Sequence, residues 1–351
     1  MAHGITKTFH DLPTQNAPEL KNLKVTLWLA AAILGISCSS PSEKKTEEKS
    51  DKIIVIFDTD ANNELDDQHA LAYLLSNADI FDIKGVTVNA TRSGGDIEEQ
   101  FKEAERILQL YNLKGKIPLL KGANASFDEI RSEDSLANDG KEAVDFMIEK
   151  ANEGPLTIIA VGKLSTVALA EAKDSSFADK VRLVWLGSNY PEPGEYNLNN
   201  DISSMNYLLD SSIPFEIVTV RYGKPSGTDA VKATAEEINR KMPGMGPKAA
   251  EPITGRHGDT FSTFGDYSIN LFDHIEMHSN PPSRALFDMA AVAVVKNPEW
   301  ADKVEIPAPV MVGETWEERP ENTRKVMIWE NFKTKAIMDD FYDRMEHYVL
   351  E

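Results

Sequence analysis

The chain has 351 residues, 41% of them hydrophobic, with 37 basic against 57 acidic residues and a net charge of −20. A surface that acidic repels phosphate backbones and argues against a nucleic-acid partner, while leaving small neutral molecules and cations as ligands. The single cysteine, Cys38, excludes a disulfide framework within the chain.

Taken in order, the first fifty residues do not read as fold. Lys21 and Lys24 precede an apolar run that continues to Ile36 and is followed by Ser37 and Cys38. The run is shorter than the about 20 apolar residues of a membrane span. Its basic flank, apolar middle and small residues have the layout of an export signal. Leu34-Gly35-Ile36-Ser37-Cys38 resembles a bacterial lipobox. The polar, charged stretch after Cys38 has the composition of a flexible tether. The expectation is an export segment over 1–38 with a lipid-anchored cysteine, a tether over 39–51, and a folded domain over 52–351. The protein would then sit on the periplasmic or outer side of a bacterial envelope.

Five apolar runs rich in Ile and Val, at 53–57, 83–88, 156–161, 181–186 and 215–220, are nearly continuous rather than alternating. That is the pattern of strands buried on both faces. Helical spacing falls between and after them, at 67–76, 97–111, 142–151, 164–172, 203–209, 285–295 and 336–349. The alternation predicts one α/β domain, a mostly parallel central sheet with helices on both faces. The segment 223–282, rich in Gly, Pro, Ser and His, reads as long loops that cover a site.

The chemistry concentrates in 53–75. A buried strand ends in Asp58-Thr59-Asp60, a short polar loop carries Glu64, and Asp66-Asp67 open an amphipathic helix. Ligands of open α/β sheets bind beyond the carboxyl ends of the strands. Carboxylates crowded there repel one another unless a cation sits among them, and hard oxygen donors suit Ca²⁺ or Mg²⁺. Taken singly, Asp66 or Asp67 reads as a helix cap and Asp58 as a turn residue. Asp288 lies in an otherwise apolar stretch, where an ionised carboxylate needs a partner or a metal. Its plainer reading is a cap or a partner of Arg284. Asn189, Glu195, Tyr196, Asn197 and Asp201 follow the run 181–186 and could bind sugar hydroxyls, or simply make their own turns.

Four segments, in order, resemble the inosine–uridine preferring nucleoside hydrolase family: 58–67, 156–170, 184–197 and 284–295. The resemblance spans most of 53–298 and implies that family's Rossmann-like fold and the hydrolysis of ribosides. It implies Ca²⁺ held by Asp60, Asp67, the Val161 carbonyl and Asp288, with Asp60 as the base that activates a metal-bound water. Asp66, Asn189, Glu195 and Asn197 would grip the ribose. The small-molecule substrate would be a nucleoside or related riboside, and a homodimer or tetramer is the common family assembly. Three features depart from the pattern. The loop between Asp60 and Asp66 is longer. Phe287 stands where the family often has a leaving-group histidine. No residue of 89–95 cleanly matches the family's ribose-binding asparagine. His257 is the first candidate to replace the missing acid, with His274, His278 and Tyr267 behind it. Two other readings compete: a nucleoside- or sugar-binding surface lipoprotein without turnover, and a phosphatase built on Asp58-Thr59-Asp60.

Overall fold

A computed structural model describes residues 52–350. The expected export segment (1–38) and the tether (39–51) lie outside the described residues. Among those described, no helix is long and apolar enough to cross a membrane.

The continuous apolar runs form the middle of an eight-stranded sheet. Its strands are β1 (Ile53–Thr59), β2 (Phe81–Val88), β3 (Leu119–Lys121), β4 (Leu156–Ala160), β5 (Val181–Leu186), β6 (Phe215–Val218), β7 (Asp302–Pro307) and β8 (Lys325–Glu330). They lie in the order β7-β8-β6-β5-β4-β1-β2-β3. Every pairing is parallel except that of β7 with β8. From β1 the chain adds β2 and β3 on one side, then returns to add β4, β5 and β6 on the other. The order therefore reverses between β1 and β4, which opens a crevice at their carboxyl ends.

Alternate side chains of one strand feed two cores. Phe57 packs on one face with Leu71 of α1 (Asp66–Leu75), Ile107 of α2 (Ile97–Leu110) and, from later in the chain, Phe264, Val292 and Phe341. Ile56 packs on the other with Met147 of α3 (Lys141–Glu153), Val167 of α4 (Ser165–Lys173) and Leu208 of α5 (Ile202–Asp210). Each such side chain, fully buried, contributes about 1.5–3 kcal/mol. One buried charge belongs to this frame. Glu216 of β6 accepts from Arg182 of β5 at 2.9 and 3.0 Å, from Lys303 of β7 at 2.9 Å and from the Trp329 indole of β8 at 2.8 Å. Burial alone would raise its carboxyl, but the Arg182 and Lys303 partners hold it below its usual value.

The structure redraws several sequence-derived boundaries. The helix expected over 285–295 begins only at Met289, as α7 (Met289–Lys296), after α6 (Phe264–Asp273). Ser283–Ala285 instead pairs antiparallel with Lys232–Thr234, and Leu286 donates to the Val231 carbonyl at 2.8 Å. The last helix, α8 (Thr334–Glu346), stops early because Val349 leaves to bond the Ser76 carbonyl at 3.0 Å. The segment 223–282 is not all loop. It contains α6, capped by Thr263, and the helix Ala235–Lys241, which carries a Thr234/Glu237 capping box. Strands β3, β7 and β8 were not foreseen. β3 is three residues long, and β7 is an exposed edge with no apolar run.

Candidate active site

At the crevice between β1 and β4, side chains from five segments line a cavity of about 270 Å³. Its floor follows from the end of β1. Asp58 is fully buried and does not line the cavity. Thr87 donates to one of its oxygens at 2.6 Å and Asn89 to the other at 2.9 Å. Burial nevertheless raises its pKa to about 7. Asp60, two residues on, does line the cavity and accepts from the Thr91 hydroxyl at 2.5 Å. Burial raises its pKa to about 7 as well.

The longer loop after Asp60 is pinned at several points. Asn62 uses its backbone N–H on Gln100 at 2.6 Å and its side-chain amide on the Gly94 carbonyl at 2.7 Å. Arg256 donates to the Glu64 carbonyl at 2.8 Å, and Arg284 pairs with the Glu64 carboxylate. The loop delivers Leu65 as the helix cap, so neither Asp66 nor Asp67 is spent on capping. Thr59 donates to Asp67 at 2.5 Å.

Asp288 arrives from the opposite side. It occupies the cap position of α7, yet its side chain makes no capping bond, and Arg284 is engaged with Glu64 instead. Oxygens of Asp66, Asp67 and Asp288 lie within 4.8 Å of one another, and all three residues are buried. Burial, with Asp66, Asp67 and Asp60 as neighbours, pushes the Asp288 carboxyl well above its usual range. Burial does the same to Asp67, again with carboxylate neighbours adding to it. A buried cluster of like charges calls for a cation. Asp66 thus joins the tightest carboxylate group, where the sequence reading had placed Asp60.

The donor set fits a hard divalent ion. It consists of carboxylate oxygens, and Val161, just past the end of β4, also lines the cavity. Next to Asp60 the Asn89 side-chain oxygen is buried without a hydrogen-bond partner. A Cβ added at Gly162 would meet that oxygen at 2.7 Å and Asp60 at 2.9 Å, so only glycine lets both approach there. Asn89 was passed over in the sequence. Its signal was its position, immediately after the strand that pairs Thr87 with Asp58.

The sugar-binding candidates separate. Glu195 lines the cavity and accepts from the backbone N–H groups of Ser188, Asn197 and Leu198 at 2.9–3.0 Å. Burial raises its carboxyl. Asn197 also lines the cavity and donates to the Val161 carbonyl at 2.8 Å. Asn189 does not line it. Its amide donates to the Gly194 carbonyl, and its oxygen accepts the Tyr222 N–H at 3.3 Å, so it positions a loop. Asp201 serves the scaffold, accepting the Phe127 N–H at 2.8 Å.

Of the four acid candidates only His278 lines the cavity. It sits on a hairpin closed by paired backbone bonds with Ser283 at 2.7 and 2.9 Å. His257 stacks on His274 with ring centroids 4.3 Å apart, outside the lining, and Tyr267 is committed to Glu103 at 2.6 Å. The sequence missed Tyr222. Its ring meets Phe287 edge-on at 5.7 Å, and both line the cavity. Tyr222 is 48% exposed, but partial desolvation in the cavity, with Glu195 and Asp66 nearby, keeps its hydroxyl protonated.

This arrangement has counterparts. The model of the inosine-uridine preferring nucleoside hydrolase family matches residues 55–339. Uridine nucleosidase 1 of Arabidopsis thaliana is 33% identical over 133 residues, 36% of this chain and 34% of that protein. The match thus spans about a third of the curated relative's length. A solved plant nucleoside hydrolase superposes with a TM-score of 0.64 at 18% identity, covering 84% of this chain and 99% of the other. An inosine-uridine preferring nucleoside hydrolase from Bacillus anthracis gives 0.61 at 16%, covering 84% and 100%. At these identities the superpositions speak for the fold, which is the sheet and helix arrangement described above. With the family pattern matched across nearly the whole folded domain, the chain belongs to the inosine-uridine preferring nucleoside hydrolase family.

Proposed function

We propose that the chain hydrolyses the N-glycosidic bond of nucleosides or closely related ribosides, giving ribose and the free base, with Ca²⁺ as its cation. The observation that carries this reading is the convergence of Asp60, Asp66, Asp67 and Asp288 in one buried cavity at the sheet's switch point. A bound divalent cation there would fix ribose hydroxyls and acidify a water.

The chain's own residues supply the rest. Asp60, held by Thr91, takes the proton of the attacking water. Breaking the ribosyl C–N bond builds positive charge on the sugar, and the surrounding carboxylates stabilise it. Glu195 and Asn197, fixed by backbone bonds, present polar atoms to the ribose. His278 replaces His257 as the candidate that protonates a departing neutral base. Asn189 acts one step removed, by holding the Tyr222 segment.

The test is ribose release from purine and pyrimidine nucleosides by wild type and Asp60→Asn, with chelator and with added Ca²⁺. The expected outcome is Ca²⁺-dependent release that falls by at least about 10²-fold in the variant. Undiminished release by Asp60→Asn would remove the assigned base. Nucleoside binding without release in wild type would favour the non-catalytic binding reading.

A further inference from the structure

We propose that the cavity selects ribosides whose base is already cationic, an N-ribosylated pyridinium or a ring-alkylated purine, seated against Tyr222 and Phe287. This rests on the hydrolase reading above and names its substrate class.

Two independent observations point the same way. The first is charge. Besides the four carboxylates of the acidic cluster, Glu64, Glu195 and Asp229 line the same cavity, against one arginine and one lysine. Arg284 is already paired with Glu64. The lining thus holds seven carboxyl groups against two basic side chains, and three of the seven, Glu64, Glu195 and Asp229, stand outside the cation cluster. A substrate that brings positive charge meets carboxyl oxygens on several sides there.

The second is the aromatic pair. Tyr222 and Phe287 stand perpendicular at 5.7 Å and both contribute to the lining. Their ring faces are electron-rich and attract a flat cation. The Tyr222 backbone is not free to wander. Arg221 beside it adopts a left-handed conformation, with φ at 47°, and is anchored by Glu330 at 2.6 Å and by the Tyr190 carbonyl at 2.9 Å. Asn189 holds the Tyr222 N–H.

The chemistry closes without a leaving-group acid. A water oxygen bonds to the anomeric carbon as the C–N bond breaks. The bonding pair returns to the ring nitrogen, which was cationic and leaves neutral. The water's proton passes to Asp60 and then to solvent. A neutral nucleoside would instead release an anionic base unless a proton reached it, a task that falls to His278 because Phe287, immediately before Asp288, has none to give.

The experiment uses the full chain with Ca²⁺ and three substrates: the riboside of 3-carbamoylpyridine, inosine and uridine. The cationic riboside is expected to show kcat/KM at least tenfold above either neutral one. Tyr222→Leu and Phe287→Leu should each lower that value by roughly tenfold, a larger loss than either causes on the neutral substrates. Tyr222→Phe should retain it, since the ring face is kept. His278→Ala should slow only the neutral substrates. As a reading of binding alone, 1-methyl-3-carbamoylpyridinium should inhibit at least tenfold more tightly than neutral 3-carbamoylpyridine. Equal inhibition, faster cleavage of inosine or uridine, or equal losses on all substrates in the leucine variants would overturn the inference and leave the hydrolase reading standing. No cleavage of any riboside would overturn both.

Discussion

Replacing Asp288 with asparagine should have opposite effects on the cation-free and cation-bound protein. In the structure, oxygens of Asp66, Asp67 and Asp288 lie within 4.8 Å of one another. At an effective dielectric constant of 20, two unit charges at that distance repel by about 3.5 kcal/mol. Without a cation the cluster relieves this by holding protons, in keeping with the raised carboxyls of Asp67 and Asp288. Asp288→Asn removes two of the three repulsive pairs, so the cation-free variant should be about 1–3 kcal/mol more stable than cation-free wild type. With Ca²⁺ at 100 times its Kd, wild type should gain about 2.7 kcal/mol. A folded domain of some 300 residues has an unfolding entropy near 0.6 kcal/mol per kelvin, so the gain corresponds to about 4 °C in Tm. The variant, having lost a ligand, should move by less than about 1 °C at the same Ca²⁺. Thermal melts of both proteins at pH 7.5, in chelator and across a Ca²⁺ titration, read all four numbers. A wild-type Tm indifferent to Ca²⁺, or an equal shift in Asp288→Asn, would refute the cation-site reasoning.

Two further outcomes test the surroundings of the cluster. Gly162→Ala would place a methyl group 2.7 Å from the Asn89 oxygen and 2.9 Å from Asp60. Both side chains are tethered, so the variant should remain folded at a cost of about 1–3 kcal/mol but lose at least about 10²-fold in kcat/KM; wild-type rates would show that the two groups are free to part. His69 is buried neutral, bonded to the Leu65 carbonyl and to Ser268, and burial lowers its pKa from 6.5 to about 4. Its unfolded form takes up a proton below pH 6.5 and its folded form only near pH 4. Its contribution to stability is therefore full above pH 6.5 and falls by up to about 1.4 kcal/mol per unit towards pH 4. The buried carboxylates titrate with the opposite sign, so the measurement is the difference in urea-unfolding free energy between wild type and His69→Gln. That difference should shrink as pH falls from 6.5 to 4, and a constant difference would contradict a neutral buried imidazole.

Much of this was legible in the chain because the signals are local. Runs such as IIVIF and LTIIA, apolar at every position, mark strands covered on both faces. A strand that ends in Asp-Thr-Asp and is followed by Asp-Asp announces where the chemistry sits. Asp288 stood out because α7 is otherwise apolar. What was not legible depends on where loops travel. Asn189 has the residue type and spacing of a ribose ligand, but the turn through Gly194 consumes its amide. His257 and His278 look alike in sequence, and only the hairpin with Ser283 brings the second to the cavity. Tyr222 carried no signal, since its placement depends on Arg221 and on Glu330, more than a hundred residues later. Strand β7 escaped because its edge position leaves it mostly exposed, with no apolar run to find.

The Arg221–Glu330 pin also has a consequence for synthesis. The first half of the acidic cluster is translated early, its Asp288 partner about 220 residues later, and the residue that anchors the Tyr222 segment later still. At roughly 5–20 residues per second, the nascent chain carries an unfinished pocket for about 10–45 s. During that time Asp60, Asp66 and Asp67 have neither their last neighbour nor their aromatic wall. A chain that ends before Lys325 carries every residue lining the cavity but lacks β8, and with it the Glu330 carboxylate that anchors Arg221 beside Tyr222.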